Sequence, residues 1–315
     1  MCKKPLIILT GPTAVGKTAA SIGLAKAIGG EIISADSMQV YKYMDIGSAK
    51  ISKEEMDGVS HYLVDVLDPK EEFNVVRFQQ MAKEAMDKIY ANGHIPIVVG
   101  GTGFYIQALL YDIDFTSEDD DKTYRNELEK LAEEKGGDYL YEMLKEVDPK
   151  SAEDIHANNV KRVIRALEYF HETGEKMSEH NEKERKKESP YNSAYFVLND
   201  ERALLYERID KRVDKMVTKG LVDEVKVLKD MGLDMSYISM QGLGYKEILS
   251  YLNGDISLED AVYILKRDTR HFAKRQLTWF KREKDVIWVD KNKFDHNEDA
   301  IKDFIVKVLK EKEII

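Results

Sequence analysis

Eight residues near the amino end constrain this chain most: Gly11-Pro12-Thr13-Ala14-Val15-Gly16-Lys17-Thr18. They match G-x-x-x-x-G-K-[ST], a pattern that average residue frequencies would produce in only about 1% of chains this long. The apolar run Leu6-Ile7-Ile8-Leu9 comes before it, and a helical pattern over residues 17 to 28 follows. A strand that turns sharply into a helix aims successive backbone N–H groups and a helix N-terminus at one anion. Glycine allows backbone conformations and close approach that a side chain would block. Lys17 would bring a point charge to the terminal phosphates, and the Thr18 hydroxyl a ligand for Mg²⁺. The loop therefore predicts a di- or triphosphate site, with a ligand-free glycine turn as the plainer alternative. Nucleoside triphosphates, ATP or GTP, are the usual occupants of such loops.

The same alternation continues along the chain. Short β-branched or aromatic runs at residues 31–34, 62–66, 95–99, 194–198 and 286–289 read as buried strands, with helical periodicity between them, as in residues 73 to 90. That order belongs to an α/β fold: an open parallel sheet of the P-loop type with helices on both faces. Residues 114–190 break the rhythm. Tyr124, Leu128 and Leu131 fit one helix, Gly136-Gly137 stops it, and Val160, Ile164 and Leu167 fit another capped by Asn158 or Asn159. The expected organisation is a catalytic core of 1–113 and 191–315 with a helical insertion at 114–190. Residues 175–189 are nearly all polar and read as a mobile, solvated loop. Residues 257–283 read as one long helix, with Ser257 as cap and Asp260 three positions on.

Composition narrows the classes further. The chain has 315 residues, 43% hydrophobic and 34% charged, with no apolar run near the roughly 20 residues a bilayer requires. The first apolar run is too short for a signal peptide and lacks a cleavage site, so a cytoplasmic protein with no membrane partner is expected. A single cysteine, Cys2, excludes an intramolecular disulfide and a cysteine-based zinc cluster. A formal charge of −10 argues against indiscriminate coating of nucleic acid. Locally the balance reverses: from Lys266 to Arg282 there are seven Lys or Arg and one acid, Asp268. Arg267, Arg270, Lys274 and Lys281 would form one basic stripe on a helix, suited to phosphates or simply a solvated face.

Asp36 falls just past the second predicted strand, expected beside the first, on the edge where open α/β sheets bind ligands. There a carboxylate can ligate metal, contact a ribose, act as a general base, or merely cap the next turn. The residues around it are more specific. With the phosphate loop, Ile33-Ser34-Ala35-Asp36-Ser37-Met38-Gln39-Val40-Tyr41 and Met44-Asp45-Ile46-Gly47-Ser48-Ala49-Lys50 resemble the opening of the tRNA dimethylallyltransferases. Val98-Val99-Gly100-Gly101-Thr102-Gly103-Phe104-Tyr105 resembles a third signature of that family. Lys161-Arg162-Val163-Ile164-Arg165-Ala166-Leu167-Glu168 resembles its insertion signature. Residues 242–247 and 269–280 complete the set. Ser60 replaces a frequent histidine before His61, and Ile51 a frequent proline. The cysteine count leaves no zinc finger of the eukaryotic kind, so the likeness is to bacterial members.

The resemblance implies transfer of a dimethylallyl group from dimethylallyl diphosphate to the N6 amine of the adenosine 3′ of the anticodon, in tRNAs that read codons starting with U. The loop would then hold a diphosphate leaving group, with Mg²⁺, and Asp36 would be the base for the amine. Arg212 would reach the diphosphate, a salt bridge to Asp210 or Glu207 being the alternative. The implied tRNA contacts are Asp36, Ser37, Met38, Gln39, Thr102, Arg125, Lys161, Arg162, Val163, Ile164, Arg165, Gln241, Gly242, Gly244, Tyr245, Arg270, Lys274 and Arg275. Thr102 can equally be a capping threonine, and Gly242 and Gly244 plain turn glycines. The anticodon stem-loop would be gripped by a monomer, with the adenosine turned out of its stack between core and insertion. An adenylate isopentenyltransferase, a small-molecule kinase and a regulatory nucleotide-binding switch are the competing functions.

Overall fold

The structure is a computed structural model that describes residues 3–115 and 123–315. The chain divides into two compact units, Met1–Leu110 with Pro190–Ile315, and Tyr111–Ser189.

The first unit is built on six parallel strands: β1 (Pro5–Thr10), β2 (Gly30–Ala35), β3 (His61–Tyr62), β4 (Ile95–Gly100), β5 (Asn192–Asn199) and β6 (Val286–Asp290). Their order across the sheet is β3-β2-β4-β1-β5-β6. Ile7 stands beside Ile97 on one side and Ala194 on the other, and Ile97 beside Ile32. Four helices belong to the first half: α1 (Lys17–Ile28), α2 (Lys53–Met56), α3 (Val75–Ala91) and α4 (Gly103–Leu110). α1 carries the chain from β1 past β4 to β2, whereas α3 brings it back from β3 to β4. Right-handed crossovers in opposite directions place these helices on opposite faces. Ile7, Ile32 and Ile97 accordingly pack with Leu24 of α1, and Ile8, Ile33 and Val98, one pleat on, are buried towards the other side. Both faces are covered, which is why the strands read as near-continuous apolar runs.

Two sequence expectations change here. β2 does not adjoin β1, because β4 lies between them. Strand order is set by long crossovers and leaves no mark in local periodicity. The strand expected at 62–66 stops at Tyr62: Leu63 and Asp65 have φ of 61° and 58°, which turns the chain out of extended geometry.

The second unit is helical among its described residues: α5 (Thr123–Lys135), α6 (Gly137–Val147), α7 (Pro149–Asp154), α8 (Val160–Thr173) and α9 (Met177–Lys186). Its core joins Leu128, Leu140, Leu144, Val163 and Leu167. Asn159 caps α8 by accepting from the Arg162 N–H. The mobile loop expected over 175–189 is instead largely α9. Buried Asp148 tethers its start, accepting bonds from Ser178 N (2.9 Å) and Oγ (2.6 Å) as well as from Ser151. Burial alone would raise the Asp148 carboxyl, but these bonds outweigh it and hold it below the usual range. Glu182 accepts from Lys150 and Lys186, so charges that suggested solvation also serve the helix.

After β5 come α10 (Arg202–Thr218), α11 (Leu221–Asp230), α12 (Tyr245–Leu252), α13 (Leu258–Phe280) and, after β6, α14 (Glu298–Glu311). Ser257 caps α13 by accepting from the Asp260 N–H at 3.1 Å. α14 joins α1 on one face through Ile301, Ile305 and Leu309. No described helix is long and apolar enough to cross a membrane.

Candidate active site

The turn from β1 to α1 has the backbone that its sequence demands. Gly11 has φ of 149°, and a Cβ there would lie 2.5 Å from the Leu198 carbonyl oxygen; Gly16 has φ of 100°. Lys17 folds back over the loop, its Nζ donating to the carbonyls of Gly11 and Pro12 at 2.9 Å each. Burial, then repulsion from Arg212, bring its pKa down to about 8 against the opposing pull of Asp36. Thr18, the second residue of α1, is exposed.

Arg212 projects from α10 to the same loop, with Nη1 3.4 Å from Thr13 Oγ1. The salt bridges considered for it from sequence do not form: Asp210 takes Arg270 and Glu207 takes Lys211, while Arg208 goes to Asp200. Burial lowers the Arg212 pKa, and Asp36 partly offsets this. Three chemistry-bearing residues from separate parts of the chain thus share one field, with two cations and one carboxylate.

Asp36 uses one oxygen as a cap and keeps the other out of that role: Oδ1 accepts from Met38 N (2.9 Å) and Gln39 N (3.3 Å). The base and the turn-capping alternatives are therefore compatible. Because β4 intervenes, the turn after it lies between Asp36 and the phosphate loop. In that turn Thr102 donates its N–H to Ala35 and offers its carbonyl to Tyr105 and Ile106. Its hydroxyl takes no part in these bonds, so the side chain is not spent on capping α4.

Several residues implied as RNA contacts have other work. Val163 and Ile164 are buried in the helical core of the second unit. Arg125 and Arg165 both bond to buried Glu168, the former through Nε and Nη2 at 2.8 Å each. Lys161 and Arg162, by contrast, are exposed. Tyr245 is fully buried; its hydroxyl accepts from Ser48 N and donates to Glu224. Gly244 is buried beside Gly47, and Gly242 lies against the Met38 thioether, where a Cβ would come within 2.4 Å. These residues support the loop of residues 38–48 that follows Asp36. Gln39 is tied into it, Nε2 donating to the Ser48 and Ala49 carbonyls, while Ser37 stays partly open and Gln241 is exposed.

The basic stripe on α13 divides. Arg270 pairs with Asp210 at 2.5 Å and Arg267 with Asp268 at 2.8 Å, so their charges are largely answered within the protein. Lys274, Arg275 and Arg282 instead line a shallow open hollow of about 370 Å³ with His271, Thr278 and Trp279. That is the part of α13 fit to meet phosphates.

Two residues that build the site carry no local signal. Glu224 of α11 accepts from the consecutive N–H groups of Asp45, Ile46 and Gly47. Lys291, after β6, is buried behind the phosphate loop, where it donates to Val15 O and Glu298. Nothing in their own sequence neighbourhoods marks them, because their partners lie far away along the chain.

The lowered Lys17 pKa sets a pH dependence for anion capture. Below about pH 8 the amine is charged and attracts phosphate; above it the amine is neutral and that attraction is lost. Calorimetric titration with inorganic pyrophosphate should give an affinity that weakens by up to about tenfold per pH unit beyond pH 8. The same slope appearing in Lys17→Met would assign it to another group.

Known proteins resemble this chain over nearly its whole length. The family described as IPP transferase matches residues 39–283. A tRNA dimethylallyltransferase of Lachnoclostridium phytofermentans is 65% identical over 313 residues, covering 99% of each chain. One from Acetivibrio thermocellus is 53% identical, covering 94% of this chain and 95% of the relative. Among solved structures, a full-length tRNA isopentenylpyrophosphate transferase from Bacillus halodurans superposes with a TM-score of 0.74 at 46% identity, covering 99% and 98%. A eukaryotic dimethylallyltransferase acting on tRNA gives 0.80 at 33% identity, covering 91% of this chain and 74% of that one. A phosphate loop, a carboxylate two strands away and likeness over nearly the whole length agree: the chain belongs to the IPP transferase family.

Proposed function

We propose that this protein moves a dimethylallyl group from dimethylallyl diphosphate to the N6 amine of the adenosine 3′ of the anticodon in tRNAs reading codons that begin with U. The observation that carries this reading is the convergence of Lys17, Arg212 and Asp36 on one loop. A kinase must stabilise a phosphoryl group in flight, whereas an allylic transfer develops negative charge on the departing diphosphate. Lys17, Arg212 and the first N–H groups of α1 are placed to receive that charge. The acceptor is a weak nucleophile, its lone pair delocalised into the purine. Asp36 Oδ1 is occupied by two backbone donors. Its second oxygen is the atom to accept the amine proton as the new bond forms.

Mg²⁺ suits the same place. Thr18 offers an exposed hydroxyl oxygen on α1, and no cluster of three or more His, Cys, Asp or Glu that could hold a metal occurs among the described residues. The ion would therefore take its other oxygens from the diphosphate and water, as Mg²⁺ commonly does. When bound it would neutralise charge on the leaving group. The candidates for RNA phosphates are Lys274 and Arg275 of α13 on the first unit and, taken separately, Lys161 and Arg162 of α8 on the second. A tRNA substrate suits the cytoplasm.

The test is a product digest. Protein, Mg²⁺, dimethylallyl diphosphate and unmodified tRNA are incubated, and the RNA is reduced to nucleosides for mass spectrometry. One adenosine per tRNA, next to the anticodon, should gain a dimethylallyl group. Prenylation of free AMP with untouched tRNA would instead establish the adenylate enzyme, transfer of labelled γ-phosphate from ATP a kinase, and ligand binding with no product a regulatory switch.

A further inference from the structure

Gln276 lies four residues before the end of α13 and is almost wholly buried, away from the exposed basic face of that helix. Both ends of its amide are engaged. Oε1 accepts from the Thr13 N–H at 2.9 Å, and Nε2 donates to the Gly101 carbonyl at 3.0 Å. One side chain thus spans the phosphate loop after β1 and the turn after β4, the two segments between which the leaving group and the acceptor must meet. Thr13 is gripped from a second direction by Arg212, and its neighbour Ala14 packs with Ile209 of α10 and Ala273 of α13.

The glycines of the Gly100-Gly101-Thr102-Gly103 turn fit the same account. Neither Gly101 nor Gly103 has the left-handed φ that favours glycine. Each is small because a side chain of α13 lies on it: a Cβ at Gly101 would be 2.1 Å from Gln276 Nε2, and one at Gly103 would be 2.3 Å from Trp279 Cδ1. The turn is shaped to seat α13, and Thr102 sits between the two seats. Just before Gln276, Lys274 and Arg275 line the open hollow, together with Arg282 beyond the end of α13.

We propose that Gln276 is a positioning residue for the transfer reaction. It fixes the distance from the diphosphate cradle to Thr102, and it locks the phosphate-binding helix α13 to both. Resting on the prenyl-transfer reading, this inference adds a residue that touches neither substrate but acts through Thr13 and Gly101. Displacement of about 1 Å between reacting groups is enough to cost roughly 100-fold in rate.

The experiment uses the full chain with dimethylallyl diphosphate and an anticodon stem-loop RNA. Gln276→Met keeps the side chain's length and removes both bonds. It should lower kcat about 100-fold while the KM for RNA and the calorimetric affinity for inorganic pyrophosphate stay within about threefold of wild type. Gly101→Ala should destabilise the fold through its clash with the Gln276 amide. Adding Gln276→Ala should restore the melting temperature but leave kcat low, since the spacer is still missing. A folded Gln276→Met with wild-type kcat would overturn the inference, as would a double variant whose rate returns along with its stability. A wild-type chain that makes no prenylated RNA would sink the transfer reading, and this inference with it.

Discussion

Asp36→Asn should retain tRNA binding and the native fold yet transfer the dimethylallyl group about 10³-fold more slowly than wild type. Asparagine keeps an oxygen where Oδ1 accepts from Met38 and Gln39, so the turn that presents Ser37 to Gln39 is preserved. What disappears is the proton acceptor. Asp36→Ala loses both functions, and should add a rise in KM for tRNA to the same fall in kcat. The pair separates base from cap. Equal turnover for Asp36→Asn and wild type, under single-turnover conditions with saturating RNA, would remove the base assignment and leave Asp36 only its structural bonds.

Lys17→Met comes next, with an expected loss of about 10²- to 10³-fold in kcat. Lys17 donates to two carbonyls of its own loop, bonds that, on the proposed function, it would exchange for diphosphate oxygens. The lowered pKa makes this effect pH-dependent: an amine half neutral near pH 8 is driven back to its protonated form by an anion beside it, at a cost in affinity that grows above pH 8. Pyrophosphate binding to the variant should be weak at every pH, and the wild-type decline above pH 8 should vanish. An unchanged kcat would mean that Arg212 and the backbone N–H groups suffice for the leaving group.

How far the chemistry was legible varies with the distance over which it is encoded. The phosphate loop, the helix that follows it, the Ser257 cap and the Asn159 cap are local, and each lies where residue spacing placed it. The insertion's helices were only half visible. Gly136-Gly137 does end α5, at Lys135, but the polar stretch that forms α9 depends on a carboxylate some thirty residues away, Asp148. Charge was the least reliable guide. Arg125, Arg165 and Arg270 are basic residues on plausible RNA-facing helices, but buried Glu168 and half-buried Asp210 claim them. A sequence shows that a cation is present; only packing shows whether a carboxylate has already met it.

From residues alone followed the anion loop, the parallel α/β core with an insertion, the carboxylate at a strand's end and the family likeness. All of these depend on neighbours a few positions apart, or on motifs kept in order. Tertiary structure alone decided that β4 separates Asp36 from the loop, that Arg212 answers to Thr13 rather than to an acid on its own helix, and that Gln276 joins two turns far apart in the chain. Such pairings arise from how strands are ordered and how α10 and α13 lie over the sheet edge. They are set by the packing of whole faces, and no local window of sequence contains both partners.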